Sequence, residues 1–150
     1  MNREEMMNEL GLAGEKVVIN MLSSLGLKVE SSINKYDSEK DMLVDGKKVE
    51  VKTQVPFVMQ NAFTFKPNQL NKCRSVDVLY FVCVPPPSHY DKWAGWIFRV
   101  EPKNFVTRSY RTKDGRVMIL IDREQDALIP VMKMSDENIK ELKKYTVSGY

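Results

Sequence analysis

Two acids and a lysine lie close together in the segment KDMLVDGKKVEVKTQ, which spans residues 40–54. Eight residues separate Asp41 from Glu50, and Lys52 follows Glu50 after one intervening residue. Carboxylate oxygens are the ligands that Mg²⁺ prefers, and an ammonium group beside them can stabilise negative charge that develops during a reaction. These residue types at this spacing therefore suit a divalent cation with a lysine next to it.

The segment is also typical of a β-hairpin. Asp45-Gly46 is a favoured two-residue turn, and such a turn would pair Val44 with Lys47. The same register pairs Asp41 with Glu50, directly across from each other. Like charges at opposite positions in a sheet are destabilising, so this register favours a cation between the two acids.

Strand side chains alternate between faces, so Lys52 and Gln54 would follow Glu50 on one face. The opposite face would be apolar and would consist of Met42, Val44, Val49 and Val51. A magnesium ion between Asp41 and Glu50 could take a further oxygen from the backbone carbonyl of Val51. Lys52 would then face the water that the metal activates.

A long amphipathic helix is predicted before the hairpin. Its apolar residues recur at helical spacing and are Leu10, Val17, Val18, Met21, Leu22 and Leu25. Gly26 is expected to end the helix. Glu15 lies at the edge of the apolar stripe, so its carboxylate would be held against the sheet that the helix covers.

The rest of the chain alternates strand and helix signals. VDVLYFVCV is almost continuously apolar and predicts a central buried strand, and WIFRV predicts a further strand. A short helix is expected from Pro67, a hairpin at Asp114-Gly115, and a last helix capped by Ser135. We therefore expect an α/β fold with a mixed central sheet of about five strands flanked by helices.

Composition limits the possible classes of protein. The chain has 150 residues, of which 43% are hydrophobic, so a single domain spanning residues 1–150 is expected. Cys73, Cys83 and one histidine, His89 in a proline-rich loop, predict neither a zinc site nor a disulfide framework nor histidine catalysis. The chain shows no signal-peptide pattern and no apolar run of membrane length, so we expect a soluble cytoplasmic protein without a membrane partner.

The motif residues resemble the core of the PD-(D/E)XK nuclease superfamily, in which an aspartate precedes a glutamate-x-lysine, as Asp41 precedes 50–52 here. The segment GEKVVINMLSSLGLKVE is similar to the first helix of archaeal Holliday-junction resolvases, where a helix glutamate such as Glu15 precedes a glycine and a hydrophobic residue. The resemblance covers a core of about residues 11–84 and leaves residues 85–150 as C-terminal additions.

This resemblance implies a restriction-endonuclease-like fold and a Mg²⁺-dependent DNA endonuclease, with Mn²⁺ as an alternative metal. Such an enzyme hydrolyses phosphodiester bonds by attack of a metal-activated water. The implied metal-binding groups are Glu15, Asp41, Glu50 and the Val51 carbonyl, and the implied catalytic residues are Glu15, Asp41, Glu50 and Lys52. Many members carry a glutamine in the helix after the active site, so Gln69 is an accessory candidate, as is Gln54.

DNA is the expected partner. The hairpin segment RSYRTKDGR carries basic residues around a tyrosine, and its candidate DNA contacts are Arg108, Tyr110, Arg111, Lys113 and Arg116. A solvated hairpin tip explains the same pattern about equally well, because the net charge is only +3. A homodimer or higher homo-oligomer is expected, since two subunits can cut two strands.

Several biological roles remain open. The length of the additions at 85–150 favours a sequence-reading restriction-type or homing endonuclease. A Holliday-junction resolvase and a repair nuclease are alternatives. A protein of another class, which binds DNA on the same fold without cutting it, is the remaining alternative.

Overall fold

The structure is a computed structural model that describes residues 2–31, 42–87 and 90–146. Within these residues the helices are α1 (Arg3–Ser24), α2 (Leu70–Ser75) and α3 (Asp136–Lys143). The strands are β1 (Val29–Ser31), β2 (Met42–Val44), β3 (Lys47–Gln54), β4 (Ala62–Phe65), β5 (Val78–Cys83), β6 (Trp96–Val100), β7 (Thr107–Arg111), β8 (Val117–Asp122) and β9 (Leu128–Lys133). This composition confirms the α/β class.

The strands form two sheets in the described part of the chain. The larger sheet has six strands in the order β1-β2-β3-β5-β6-β9, and the smaller has three in the order β4-β8-β7. The larger sheet is mixed, because β3 and β5 are parallel while its other neighbouring strands are antiparallel. The expected sheet of about five strands is therefore a six-stranded sheet, and the smaller sheet was not predicted.

The β2–β3 hairpin has the predicted register. Val44 pairs with Lys47 and Met42 pairs with Val49 across a two-residue turn. The turn residues Asp45 and Gly46 have φ angles of 49° and 80°. A type I′ turn requires positive φ at both central positions, and Asp-Gly provides it at low cost, which is why the register could be read from the sequence.

Helix α1 covers one face of the six-stranded sheet. Its buried residues Leu10, Val17, Val18, Met21 and Leu22 share a core with Met42, Val44, Val49 and Val51. A Cβ atom on Gly14 would collide with the Thr53 side chain, so glycine lets the helix approach β3 closely at this position. The helix ends where expected, with Gly26 at φ 82°. Leu25 is an exception to the predicted stripe, because it follows the last helical residue and is 70% exposed.

The smaller sheet packs on the opposite face and forms a second core. Phe63 of β4 stacks on Phe81 of β5 with ring centroids 4.5 Å apart, and it meets Phe98 of β6 edge-on at 5.5 Å. Strand β5 is buried along its whole length between the two cores, as its apolar sequence predicted.

The shorter predicted elements are also present. Pro67 begins a 3₁₀ turn (Pro67–Gln69) that leads into α2, and the Ser135 side chain caps α3 by accepting a hydrogen bond from the backbone of Asn138 at 3.1 Å. None of the helices in the described ranges combines the length and apolar character that crossing a membrane requires.

Candidate active site

Strand β3 carries Glu50 and Lys52 on the face that the smaller sheet and α2 cover. Alternation along the strand places Val49 and Val51 in the α1 core and turns the side chains between them the other way. Glu50 is 1% exposed, which places a carboxylate among the most deeply buried side chains of the described residues. A buried carboxylate is costly unless positive charge lies beside it, so its neighbours decide what this position can do.

Two lysines neutralise this carboxylate from different elements. Lys72 of α2 places its Nζ 2.9 Å from Glu50 Oε2, and Lys52 places its Nζ 3.4 Å from Glu50 Oε1. Lys52 also donates a hydrogen bond of 3.0 Å to Oε1 of Gln69, in the turn before α2. We call Glu50, Lys52, Gln69 and Lys72 the Glu50 cluster.

The local sequence explains why the Glu50 cluster assembles. Pro67 starts the turn that leads into α2, and residues three apart on a helical segment lie on one face. Gln69 and Lys72 have this spacing, so both can reach the β3 face. The sequence predicted Gln69 as an accessory residue but missed Lys72, whose only signal is its spacing from Gln69.

The Glu50 cluster has two cations with access to solvent. Its described ionisable side chains are one carboxylate and two ammonium groups, a formal charge of +1. The side chains of Lys52 and Lys72 are 17% and 24% exposed, whereas that of Glu50 is 2% exposed. The carboxylate is therefore shielded from water while the ammonium groups extend towards the surface, an arrangement that suits an incoming anion such as a phosphate group.

The other predicted metal ligands are placed differently. Glu15 is partly buried on α1, which packs against the opposite face of β3 from the Glu50 side chain. Asp41 lies outside the described residues. Among residues 2–31, 42–87 and 90–146, no three Asp, Glu, His or Cys side chains come close enough together to hold a metal.

Glu50 provides one carboxylate of the kind that binds a metal ion, with two ammonium groups already beside it. Its Oε2 atom is closed off from water, and a cation, the ammonium group of Lys72, lies 2.9 Å away. A divalent metal ion would meet the same requirement for positive charge at this oxygen. The described residues thus provide one acid ligand of the expected set, with the Val51 carbonyl in the same strand.

The side-chain amide of Gln54 links β3 to the backbone of β4. Its side-chain amide donates a hydrogen bond to the backbone oxygen of Thr64 at 2.6 Å and accepts one from the Thr64 backbone nitrogen at 2.8 Å. These bonds satisfy the outer edge of β4 as a neighbouring strand would, and they join the two sheets. The amide of the predicted accessory residue Gln54 is therefore engaged away from the Glu50 cluster.

The β7–β8 hairpin forms as predicted, with Gly115 at φ 88° in its turn. Its basic side chains differ in their availability to a ligand. Arg108 is held by Asp122, with Nε 3.0 Å from Oδ1, and by Gln60, whose side-chain oxygen lies 3.1 Å from Nη1. Arg111 and Lys113 are exposed at the hairpin tip.

The remaining two candidates in this hairpin also make intramolecular contacts. Arg116 is exposed and pairs with Asp114, with 2.9 Å between Nε and Oδ2. The Tyr110 ring packs edge-on against Phe57 with centroids 5.3 Å apart. Arg111 and Lys113 are therefore the predicted DNA contacts whose placement best suits a phosphate backbone.

A second buried ion pair, which the sequence did not predict, lies near the end of β5. Arg123 Nη1 lies 2.7 Å from Asp91 Oδ2 and 3.5 Å from the Cys83 sulfur, and Arg123 Nε donates to Asn61 Oδ1 at 3.0 Å. We call these four residues the Arg123 cluster. Burial raises the pKa of the Cys83 thiol to about 12, so the thiol stays protonated and unreactive at neutral pH. His89, in the loop before Asp91, lies outside the described residues.

Comparison with known proteins gives no match to any family model, curated protein or solved structure. The nuclease resemblance therefore depends on the motif residues of this chain, considered together with the arrangement around Glu50.

Proposed function

We propose that this protein is a Mg²⁺-dependent DNA endonuclease whose active site is the Glu50 cluster. The observation that carries the proposal is the buried Glu50 carboxylate beside Lys52, at glutamate-x-lysine spacing on one strand. A buried carboxylate is costly even beside two cations, and the partial exposure of both cations favours a role in binding a ligand. The hydrogen bond from Lys52 to Gln69 supports the assignment, because it links the motif lysine to the predicted accessory glutamine.

The metal would be held by Glu50 together with Asp41 and the Val51 carbonyl, whereas Glu15 lies on the helix that covers the opposite face of β3 and has no role in this proposal. Support for Asp41 comes from the hairpin register, since Met42 pairs with Val49 and the next pair in that register would be Asp41 with Glu50. When bound, the metal would supply a Lewis acid that lowers the pKa of an attacking water.

The residues of the chain have separate tasks in this proposal. Lys52 contacts a phosphoryl oxygen and stabilises the negative charge that grows there in the transition state. Gln69 accepts a hydrogen bond from Lys52 and so fixes the direction of its ammonium group. The partly shielded site keeps these interactions stronger than they would be in water.

DNA binding is assigned to positive groups outside the cluster. Arg111 and Lys113 at the β7–β8 hairpin tip would contact phosphates, and β8 contacts the 3₁₀ turn that carries Gln69. We propose a cytoplasmic homodimer in which each subunit cuts one strand. The hairpin and the other additions at 85–150 would favour a sequence-reading enzyme over a junction resolvase or a repair nuclease.

A non-catalytic DNA-binding protein is the second candidate. The ion pair between Lys72 and Glu50 favours it, because an ammonium group at 2.9 Å already balances the carboxylate. In that case the cluster would be a buried structural feature, and divalent metals would have no effect on it.

A cleavage assay separates the two candidates. Supercoiled plasmid, a four-way junction and single-stranded DNA are incubated with the protein and Mg²⁺ or Mn²⁺. We expect Lys52→Ala to cleave about 10²- to 10³-fold more slowly than the wild type while it still binds DNA. The control is Lys143→Ala, which removes an exposed lysine from α3. Cleavage by Lys52→Ala at the wild-type rate would refute the proposed function.

A further inference from the structure

A pocket opens on the face of the six-stranded sheet that α1 covers, on the opposite side of β3 from the Glu50 side chain. Its volume is about 180 Å³, and its lining comes from the end of α1, the β2–β3 hairpin, β5 and β6. The described lining shares no residue with the Glu50 cluster. Any ligand of this pocket is therefore a separate question from the proposed function.

The interior of the pocket is apolar. Helix α1 packs mainly against β3, and Gly26, at φ 82°, turns the chain back towards β1 after the helix ends. Leu22 in the last turn of the helix and Leu27 beyond the glycine form one wall. Val49 and Val78, which are paired in the neighbouring strands β3 and β5, form the floor. The interior therefore favours an apolar group.

A cation lines the side of the pocket that is furthest from the hairpin. Tyr80 of β5 belongs to the core beneath α1, and Arg99 of β6 is its direct cross-strand partner. Residues directly opposite each other in an antiparallel pair point to the same face, with Cβ atoms about 5 Å apart. Arg99 is exposed, and no carboxylate in the described part of the chain forms an ion pair with it. Its guanidinium group is therefore available to an anion.

The Tyr80 hydroxyl provides a second donor beside this cation. Tyr80 is 8% exposed, and its hydroxyl makes no hydrogen bond to any other described residue. Burial raises the pKa of the phenol, and the positive charge of Arg99 partly opposes this shift. The hydroxyl is therefore protonated at neutral pH and can donate. A guanidinium group next to a hydroxyl suits the two oxygens of a carboxylate.

The other charged lining residues lie on the hairpin side of the pocket. Asp45 is in the turn and accepts a hydrogen bond from the backbone nitrogen of Lys28 at 3.0 Å, and the exposed Lys47 begins β3. Strand β5 lies between β3 and β6, so the backbone of Arg99 is about 10 Å away across two strand spacings. Asp45 repels an anion least at the Arg99 side, which is where we expect a carboxylate.

The volume of the pocket limits the size of its ligand. A cavity of about 150 Å³ holds one benzene ring, so the present pocket has room for one ring and a small substituent. A nucleotide, which combines a base, a sugar and a phosphate group, would extend well outside it. A rigid ring also fills the space without the loss of rotational freedom that a flexible chain of the same size would suffer.

We propose that this pocket binds a small monocarboxylate that carries a single aromatic ring. The carboxylate pairs with the Arg99 guanidinium group and accepts a hydrogen bond from the Tyr80 hydroxyl. The ring packs between the Leu22 wall and the floor formed by Val49 and Val78. This inference does not depend on the proposed function, because the pocket and the Glu50 cluster lie on opposite faces of β3.

Fluorine NMR measures the binding directly. The probes para-fluorobenzoate and its neutral analogue para-fluorobenzamide are titrated into the wild type, Arg99→Gln, Tyr80→Phe and the control Lys143→Gln. We expect the benzoate to bind the wild type about tenfold or more tightly than the benzamide does, because only the benzoate forms a charged pair. Arg99→Gln should weaken benzoate binding about tenfold or more and Tyr80→Phe about threefold, whereas Lys143→Gln should match the wild type.

Amide NMR spectra and a filled pocket locate the site. The benzoate should shift the backbone resonances of Val44, Tyr80 and Arg99, which surround the pocket. Leu27→Trp enlarges a partly buried side chain of the wall and leaves Arg99 in place, so it should abolish binding. Thermal unfolding shows whether each variant is folded.

Several results would overturn the inference. These are equal binding of the benzoate and the benzamide, benzoate binding that Arg99→Gln leaves unchanged, and resonance shifts confined to another part of the protein. The absence of saturable benzoate binding to the wild type up to about 10 mM would also overturn it, since a ligand of this size should bind at least that tightly. None of these results bears on DNA cleavage, which tests the proposed function separately.

Discussion

Two ion-pair clusters lie on the same face of the six-stranded sheet and differ in what surrounds them. The Glu50 cluster begins on β3, and the Arg123 cluster includes Cys83 at the end of the neighbouring strand β5. In the Arg123 cluster the Arg123 and Asp91 side chains are 2% and 3% exposed, and one cation meets one anion. In the Glu50 cluster two partly exposed cations meet one buried anion.

The difference is one of access, because the ion pair of the Arg123 cluster is enclosed while the lysines of the Glu50 cluster reach solvent. The guanidinium group of Arg123 is satisfied by Asp91, Asn61 and the Cys83 sulfur, so it has little capacity for a ligand. The lysines around Glu50 retain access to solvent, with 17% of the Lys52 side chain and 24% of the Lys72 side chain exposed. A phosphate group could approach the Glu50 cluster, whereas the Arg123 cluster is closed to it.

The largest expected change in stability follows from breaking the ion pair between Arg123 and Asp91. Asp91→Asn removes the charge opposite Arg123 and leaves a buried guanidinium group without its anion. We expect the free energy of unfolding to fall by about 3–5 kcal/mol. Urea denaturation followed by circular dichroism measures this change.

Lys52→Met is the matched variant in the Glu50 cluster. Lys72 still balances Glu50 when Lys52 is removed, so we expect a smaller loss of about 1–2 kcal/mol in the free energy of unfolding. Equal losses in Asp91→Asn and Lys52→Met would show that the two clusters do not differ in the way their exposure suggests.

The smallest expected effect is a pH dependence that arises from Cys83. Burial, opposed by the charge of Arg123, raises the pKa of this thiol from 9.0 to about 12. The unfolded thiol ionises first as pH rises, so its contribution to stability is complete below pH 9.0 and declines up to about 12.

The contribution of the Cys83 thiol to the free energy of unfolding should fall by about 0.7 kcal/mol between about pH 8.5 and pH 9.5. Urea denaturation of the wild type and Cys83→Ala at both pH values isolates it, because other titrating groups are common to the two proteins. An identical pH dependence in both would place the thiol in a more solvated environment than the Arg123 cluster provides.

The sequence predicted those features that depend on local chemistry. The Asp45-Gly46 turn set the β2–β3 register, and strand alternation then placed Glu50 and Lys52 on one face. Pro67 marked the start of the turn that brings Gln69 to Lys52. These relations involve neighbours in the chain or a single strand, so residue type and spacing were sufficient.

Features that depend on contacts between distant segments were missed. The smaller sheet includes β4, whose AFTF sequence has no distinctive pattern and whose edge is satisfied by the side chain of Gln54. Asp91 and Arg123 are 32 positions apart and meet only after both sheets pack. Lys72 could not be assigned, because the orientation of a short helix is set by its packing.

We propose that the Glu50 cluster, and not the Arg123 cluster, is the catalytic site. The most direct measurement is the rate of Mg²⁺-dependent DNA cleavage by Glu50→Gln and by Asp91→Asn, each corrected for its folded fraction. We expect Glu50→Gln to lose cleavage, while folded Asp91→Asn cuts at close to the wild-type rate. Cleavage that persists in Glu50→Gln would contradict it.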